Sequence, residues 1–183
     1  KSPYRIADMA DDTAALLETV YLNGLGEFAY RNGLDLHGRI RILVGATQVA
    51  MSAAEIGLHE HALVAIGGGK DSLVSIEALR GIGIEQTVTW IGGSQLIKAC
   101  AERTGLPTLN LGRQLAPELF EYNRLGAWNG HIPVTAVNSA ILVFAAVLLG
   151  ADQVVFSNER SASYGSFIEG TGEVNHQWSK GWA

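Results

Sequence analysis

Apolar positions change their period along this chain. Between 11 and 32, Leu16, Leu17, Val20, Tyr21, Gly24 and Phe28 recur at helical spacing, and Asp11 or Asp12 stands where an N-cap belongs. This predicts a helix over 11–32. Residues 39–44 alternate and predict a strand, and 52–60 reads as a connector. From Ala62 the pattern becomes regular. Short apolar runs at 62–66, 87–91, 107–111 and 153–157 predict four strands. Helical spacing at 72–81, 94–104, 118–124 and 133–149 places helices between them, with Pro133 suited to the first turn of the last. A segment rich in Ser and Gly, 161–172, reads as a loop.

Strands that alternate with helices predict an α/β fold: a mostly parallel sheet with helices on both faces. Such sheets bind ligands at the carboxyl ends of their strands. The positions to watch therefore lie just past Ile66, Ile91, Leu111 and Phe156. The change of pattern divides the chain into a helical and connector segment, 1–60, and an α/β domain, 61–183.

Composition narrows the classes. With 183 residues, 48% of them hydrophobic, the chain can bury a full core. The net charge of −5 and the lack of a Lys/Arg cluster argue against nucleic acid as a partner. Cys100 is the only cysteine, so neither a disulfide framework nor a Cys-built zinc site can form within the chain. Its position inside a predicted helix reads as core rather than nucleophile. A reducing, cytoplasmic setting is compatible with this usage. The longest apolar stretch, 140–149, is too short to span a bilayer, and no signal-peptide pattern opens the chain, so no membrane partner is expected. A chain that begins at Lys1 and stops after Gly181-Trp182-Ala183 reads as a segment of a longer protein.

The most informative motif is Gly67-Gly68-Gly69-Lys70-Asp71-Ser72, set between a predicted strand and a predicted helix. Glycines let backbone N–H groups approach an anion and adopt positive φ. The helix that follows offers unpaired N–H groups and the positive end of its dipole. Lys70 adds charge, Ser72 adds a hydroxyl, and Asp71 is placed to hold Mg²⁺ against phosphates. The spacing fits neither a Walker A loop nor a dinucleotide fingerprint. It resembles the Ser-Gly-Gly-x-Asp-Ser loop of the PP-loop ATP pyrophosphatase superfamily, with Gly67 where that superfamily usually carries its first Ser.

Three further blocks sharpen the resemblance: Asn129-Gly130-His131-Ile132-Pro133, Ser157-Asn158-Glu159-Arg160-Ser161-Ala162, and Val174-Asn175-His176-Gln177-Trp178-Ser179-Lys180. With the glycine loop, they look like the UDP-N-acetylmuramoyl-L-alanyl-L-glutamate epimerase family over most of 16–180. That family usually has Asn-Glu-Gly after the Ser-Ala of the second block, where this chain has Ser163-Tyr164-Gly165. The resemblance implies a PP-loop nucleotide-binding fold that continues beyond Ala183. It also implies ATP and Mg²⁺ as cofactors and UDP-MurNAc-L-Ala-L-Glu as substrate. The implied activity is conversion of the terminal L-Glu to D-Glu, in peptidoglycan precursor synthesis.

Candidate residues follow from position. Glu159 and Arg160 come directly after the fourth predicted strand. Glu159 can bind Mg²⁺ or act as a base, and Arg160 can hold a phosphate or carboxylate bidentately. An ordinary salt bridge is the plainer alternative. His131, in a Gly-rich turn before a helix, can contact phosphate or move a proton, or it can merely order its turn. His176 and Lys180 share a face if their segment is helical, as an acid/base group and a carboxylate anchor, against an exposed tail. Two other functions compete with epimerisation. One is a different PP-loop adenylating enzyme, either an ammonia-dependent synthetase or a tRNA-modifying enzyme; the single cysteine counts against its sulfur-transfer members. The other is a nonenzymatic nucleotide sensor, against which the charged blocks at 129–133 and 157–161 argue.

Overall fold

The structure, a computed structural model, describes residues 9–44, 54–168, 172–174 and 178–180. In chain order the elements are α1 (Asp11–Gly24), α2 (Gly26–Arg31), β1 (His59–Ala65), α3 (Lys70–Gly81), β2 (Gln86–Ile91), α4 (Gln95–Glu102), β3 (Thr108–Leu111), α5 (Pro117–Arg124), α6 (Val134–Leu149), β4 (Ala151–Val155), β5 (Ser166–Ile168) and β6 (Gly172–Val174). Short 3-10 turns occupy Arg160–Ser163 and Trp178–Lys180. The chain folds into two compact units. One comprises Lys1–Ala54, Gly126–Ala136 and Arg160–Ala183, the other Glu55–Leu125 and Val137–Glu159.

The second unit is the α/β layer. Its sheet has the order β3-β2-β1-β4, and every neighbouring pair is parallel. Parallel strands must be covered on both faces, and the alternation along β1 does this. Ala62, Val64 and Ile66 join Val88 and Trp90 on one face, under Ile76 of α3 and Ala101 of α4. Leu63 faces the other way, packing with Ala145 and Ala146 of α6. Ile76 and Leu63 are among the most completely buried side chains described. Cys100 is half-buried against the first cluster, as expected of a core position.

Strands β1 and β4 begin earlier than their apolar runs. His59 pairs with Ala151 across an irregular register, and the backbone N–H of His61 donates to Asp152 Oδ1 at 3.0 Å. The polar His59-Glu60-His61 run masks this start, because the amino end of the strand is exposed and needs no apolar side chains.

The first unit differs from expectation in three places. The helix predicted over 11–32 is two helices, broken at Leu25 (φ −100°, ψ 12°), and its N-cap is Ala10, with Asp11 and Asp12 in the first turn. Gly24 and Gly26 flank the break and weaken the helix there. Gly24 also admits Pro133, since a Cβ on it would stand 2.6 Å from the proline ring. Residues 39–44 alternate in burial but pair with no strand among the described residues; the N–H of Ile42 is taken by Glu18 Oε1 at 2.6 Å instead. The expected loop 161–172 contains a 3-10 turn and one arm of the antiparallel β5–β6 pair. Three-residue strands are too short to leave a period in the sequence.

Candidate functional site

The strand order locates the crevice. The chain runs outward through β1, β2 and β3, then returns to place β4 on the opposite side of β1. The order therefore reverses between β1 and β4. Ligands of open α/β sheets bind outside the carboxyl ends of the strands at such a reversal. Two motifs emerge there: Gly67–Ser72 after β1, and Ser157-Asn158-Glu159 after β4.

The loop has the features of an anion site. Gly69 is the N-cap of α3 and gives it no side-chain cap, so the first-turn N–H groups keep their capacity for a ligand. Gly68 has φ +81°, a conformation that glycine adopts without strain. Gly67 and Gly69 have no atom within 4 Å of where a Cβ would stand, so side chains there would fill the open space over the loop. Ser72 is buried, and its hydroxyl donates to the carbonyl of Gly69 at 3.0 Å. This bond braces the loop.

Charge collects beside it. Lys70 Nζ lies 2.7 Å from Asp71 Oδ1 and 3.8 Å from Glu159 Oε1. The hydrogen bond and the charge of Asp71, then the charge of Glu159, hold the Lys70 ammonium above the ordinary lysine range. A raised basic pKa favours the charged form. Its contribution is complete below the usual lysine pKa and is lost only as pH rises through the elevated one. The Lys70-dependent part of the affinity for sulfate, an anion whose charge does not change in this range, measured calorimetrically as the difference between wild type and Lys70→Met, is therefore expected to stay flat from about pH 6 to 9. A fall within that window would contradict the pairing.

Asp71 and Glu159 are the carboxylates available for a metal. Among the described residues no group of three His, Cys, Asp or Glu side chains is placed to hold one. A half-exposed and an exposed carboxylate beside the glycine loop fit Mg²⁺ that arrives with phosphates and keeps its water, rather than one caged by protein alone.

Two residues overlooked in the sequence help shape this edge. Ser157 Oγ donates to Ser75 Oγ at 2.7 Å, tying the segment after β4 to α3. Ser75 lies three residues beyond Ser72 on the same helix, and that spacing was the available signal. Asn110 Nδ2 donates to the carbonyls of Gly92 (2.8 Å) and Trp90 (3.4 Å), fixing the turn after β2.

The remaining candidates belong to the first unit. The backbone N–H of His131 donates to Glu27 Oε2, and Asn32 Nδ2 donates to the carbonyl of Asn129 at 3.0 Å, so α2 and its C-cap residue hold the 129–133 segment at two points. Arg160 is exposed and opens a 3-10 turn. Lys180 is exposed in the last described turn, which packs near α1. His176 lies outside the described residues. The structure thus groups Lys70, Asp71, Ser72 and Glu159 in one unit and places His131, Arg160 and Lys180 in the other. Trp90 is buried, whereas Trp128 is exposed.

The model of the MurL N-terminal domain matches residues 3–183. The chain belongs to the MurL N-terminal domain family. Relatives agree with this. The UDP-N-acetyl-alpha-D-muramoyl-L-alanyl-L-glutamate epimerase of Xanthomonas oryzae pv. oryzae is 79% identical over 172 residues, which is 94% of this chain and 38% of that protein. The protein of the same name from Salinispora tropica is 43% identical over 98% of the chain and 40% of its own length. The one from Micromonospora sp. is also 43% identical, over 96% and 39%. This MurL N-terminal segment thus spans about two fifths of the curated relatives it matches. No solved structure matches it. Among the described residues no helix is long and apolar enough to cross a membrane.

Proposed function

We propose that this chain carries the carboxylate-activating part of an ATP- and Mg²⁺-dependent epimerase. The full protein would convert the terminal L-Glu of UDP-MurNAc-L-Ala-L-Glu to D-Glu, a cytoplasmic step of peptidoglycan precursor synthesis. The observation that carries this reading is the pairing of an open anion loop with Glu159 at the reversal of strand order. The relatives' names supply the substrate.

The chemistry gives each group a task. The α-proton of a free carboxylate resists removal because the carbanion would form beside a negative charge. Adenylation with release of pyrophosphate cancels that charge and acidifies the Cα–H. In this reading the N–H groups of Gly67–Ser72 and the Lys70 ammonium hold the phosphates through a PP-loop arrangement. Asp71 and Glu159 are the residues that would hold Mg²⁺, which neutralises phosphate charge when bound. A general base then takes the proton, an acid returns it on the other face, and water hydrolyses the adenylate to release AMP and restore the free carboxylate. Glu159, His131 and His176 are the candidates for these two roles, with Arg160 and Lys180 as anchors for phosphate or carboxylate.

The test uses the full-length protein in D₂O with ATP, Mg²⁺ and the muramoyl dipeptide. Chirality and deuterium at the terminal glutamate are followed beside AMP release. D-Glu carrying deuterium, formed only with ATP, is the expected result. Exchange without ATP, or AMP release without exchange, would overturn the order of steps; neither exchange nor AMP would overturn the function.

A further inference from the structure

Helix α6 carries no charged residue along its 16 positions. It buries Leu142, Ala145 and Ala146 against the sheet, at the i, i+3, i+4 spacing of one face. Its other side is apolar as well. Val137, Phe144 and Leu148 follow one another at i, i+7, i+11, flanked by Val143 and Val147. All five are exposed, Phe144 at 65% and Leu148 at 70%. Past Thr135, Asn138 and Ser139 the helix is apolar on every side, as helices inside a larger core are, and a contiguous apolar face of this kind marks an interaction surface.

The neighbouring strand is open too. Gly150 links α6 to β4, which is the outermost strand of the sheet order, and its far edge has no partner among the described residues. Open strand edges are normally covered or paired.

We propose that the Val137–Phe144–Leu148 face of α6 is the docking surface for the polypeptide that the longer relatives carry outside the matched segment. Two observations choose this occupant. The relatives devote about three fifths of their length to polypeptide beyond the match, so a covering body is present in each of them. The face also lacks any charge, whereas surfaces for transient partners carry a polar rim and permanently covered ones are more hydrophobic. The inference is independent of the proposed chemistry, since it concerns a helix behind the sheet rather than the loop at its carboxyl edge.

The test places p-benzoylphenylalanine at position 144 of a full-length form. This exchanges one aromatic side chain for another and so spares the fold. After irradiation, intrachain crosslinks to peptides outside the matched segment are expected, at least tenfold above the yield from the same probe at exposed Glu77 of α3. Crosslinks at twice the chain mass would assign the face to a second copy and overturn the proposal. Crosslinks confined to the matched segment, or a yield no higher than at Glu77, would overturn it equally.

Discussion

Asp71→Asn in the full-length protein is expected to lower ATP-dependent deuterium exchange at the terminal glutamate by about 100- to 1,000-fold, the usual effect of losing one group that stabilises developing charge in an active site. The substitution keeps the side chain's shape and removes its charge. Asp71 is half exposed and makes its described ion pair with Lys70, so the fold should survive, with a melting temperature near that of the wild type. The backbone N–H groups of the loop and the Lys70 ammonium remain, so nucleotide binding without Mg²⁺ should change little. What should change is the dependence on Mg²⁺: half-saturation moves upward and the exchange rate at saturation stays low. The result separates two roles for one carboxylate. If exchange stays within a few-fold of wild type while nucleotide binding without Mg²⁺ changes, Asp71 merely steers Lys70 and Mg²⁺ is held elsewhere. Glu159→Gln provides the comparison, because Glu159 stands 3.8 Å from the same ammonium but comes from the other motif.

The middle of the α/β layer was legible because β1 and β2 are buried there on both faces. The run Ala62–Ile66 carries no polar side chain, the other runs carry one or two, and each meets a glycine or a helix start at or near its end. The period therefore stated both the element and its boundary at the carboxyl end, where the candidate site lies. The amino ends were harder to read. His59 and His61 belong to β1, yet they face solvent or find polar partners such as the Thr87 hydroxyl, 2.9 Å from His61 Nε2. Hydrophobic patterning says nothing about residues held in that way.

The site was legible in part. Gly67–Ser72 announced itself through composition and through its place between a strand and a helix. Its juxtaposition with Glu159 depends on β4 lying beside β1, a pairing between segments about 90 residues apart that local patterns cannot encode. The Ser75–Ser157 bond is of the same kind, since neither serine stands out until α3 and β4 are neighbours. The 129–133 motif was visible as a motif, but its attachment was not. Glu27 and Asn32 look like ordinary surface residues on a helix until their contacts with His131 and Asn129 are known.

That attachment leads to the second large effect, at Gly130. A Cβ there would stand 2.7 Å from the Cα of Phe28 and 3.0 Å from its Cβ. The nearest obstacle is backbone, so no rotamer change relieves the clash, and Gly130→Ala must push the segment away from α2. Overpacking of this kind costs about 1–3 kcal/mol. The movement also strains the hydrogen bonds from His131 to Glu27 and from Asn32 to Asn129, each worth about 1 kcal/mol or more. For a chain of this size a loss of about 2–3 kcal/mol lowers the melting temperature by roughly 4–12 °C. Gly26→Ala is the matched control. It lies at the start of α2, has no positive φ and has open space where its Cβ would stand, so it should leave stability unchanged or raise it by up to about 1 kcal/mol. Thermal unfolding of the two variants, followed by circular dichroism, sets close packing against simple loss of backbone freedom. Equal melting temperatures would mean that 129–133 does not rest on α2, and His131 would then lose the frame that orients it. A fall confined to Gly130→Ala would show that the motif needs its glycine because a helix backbone passes beside it.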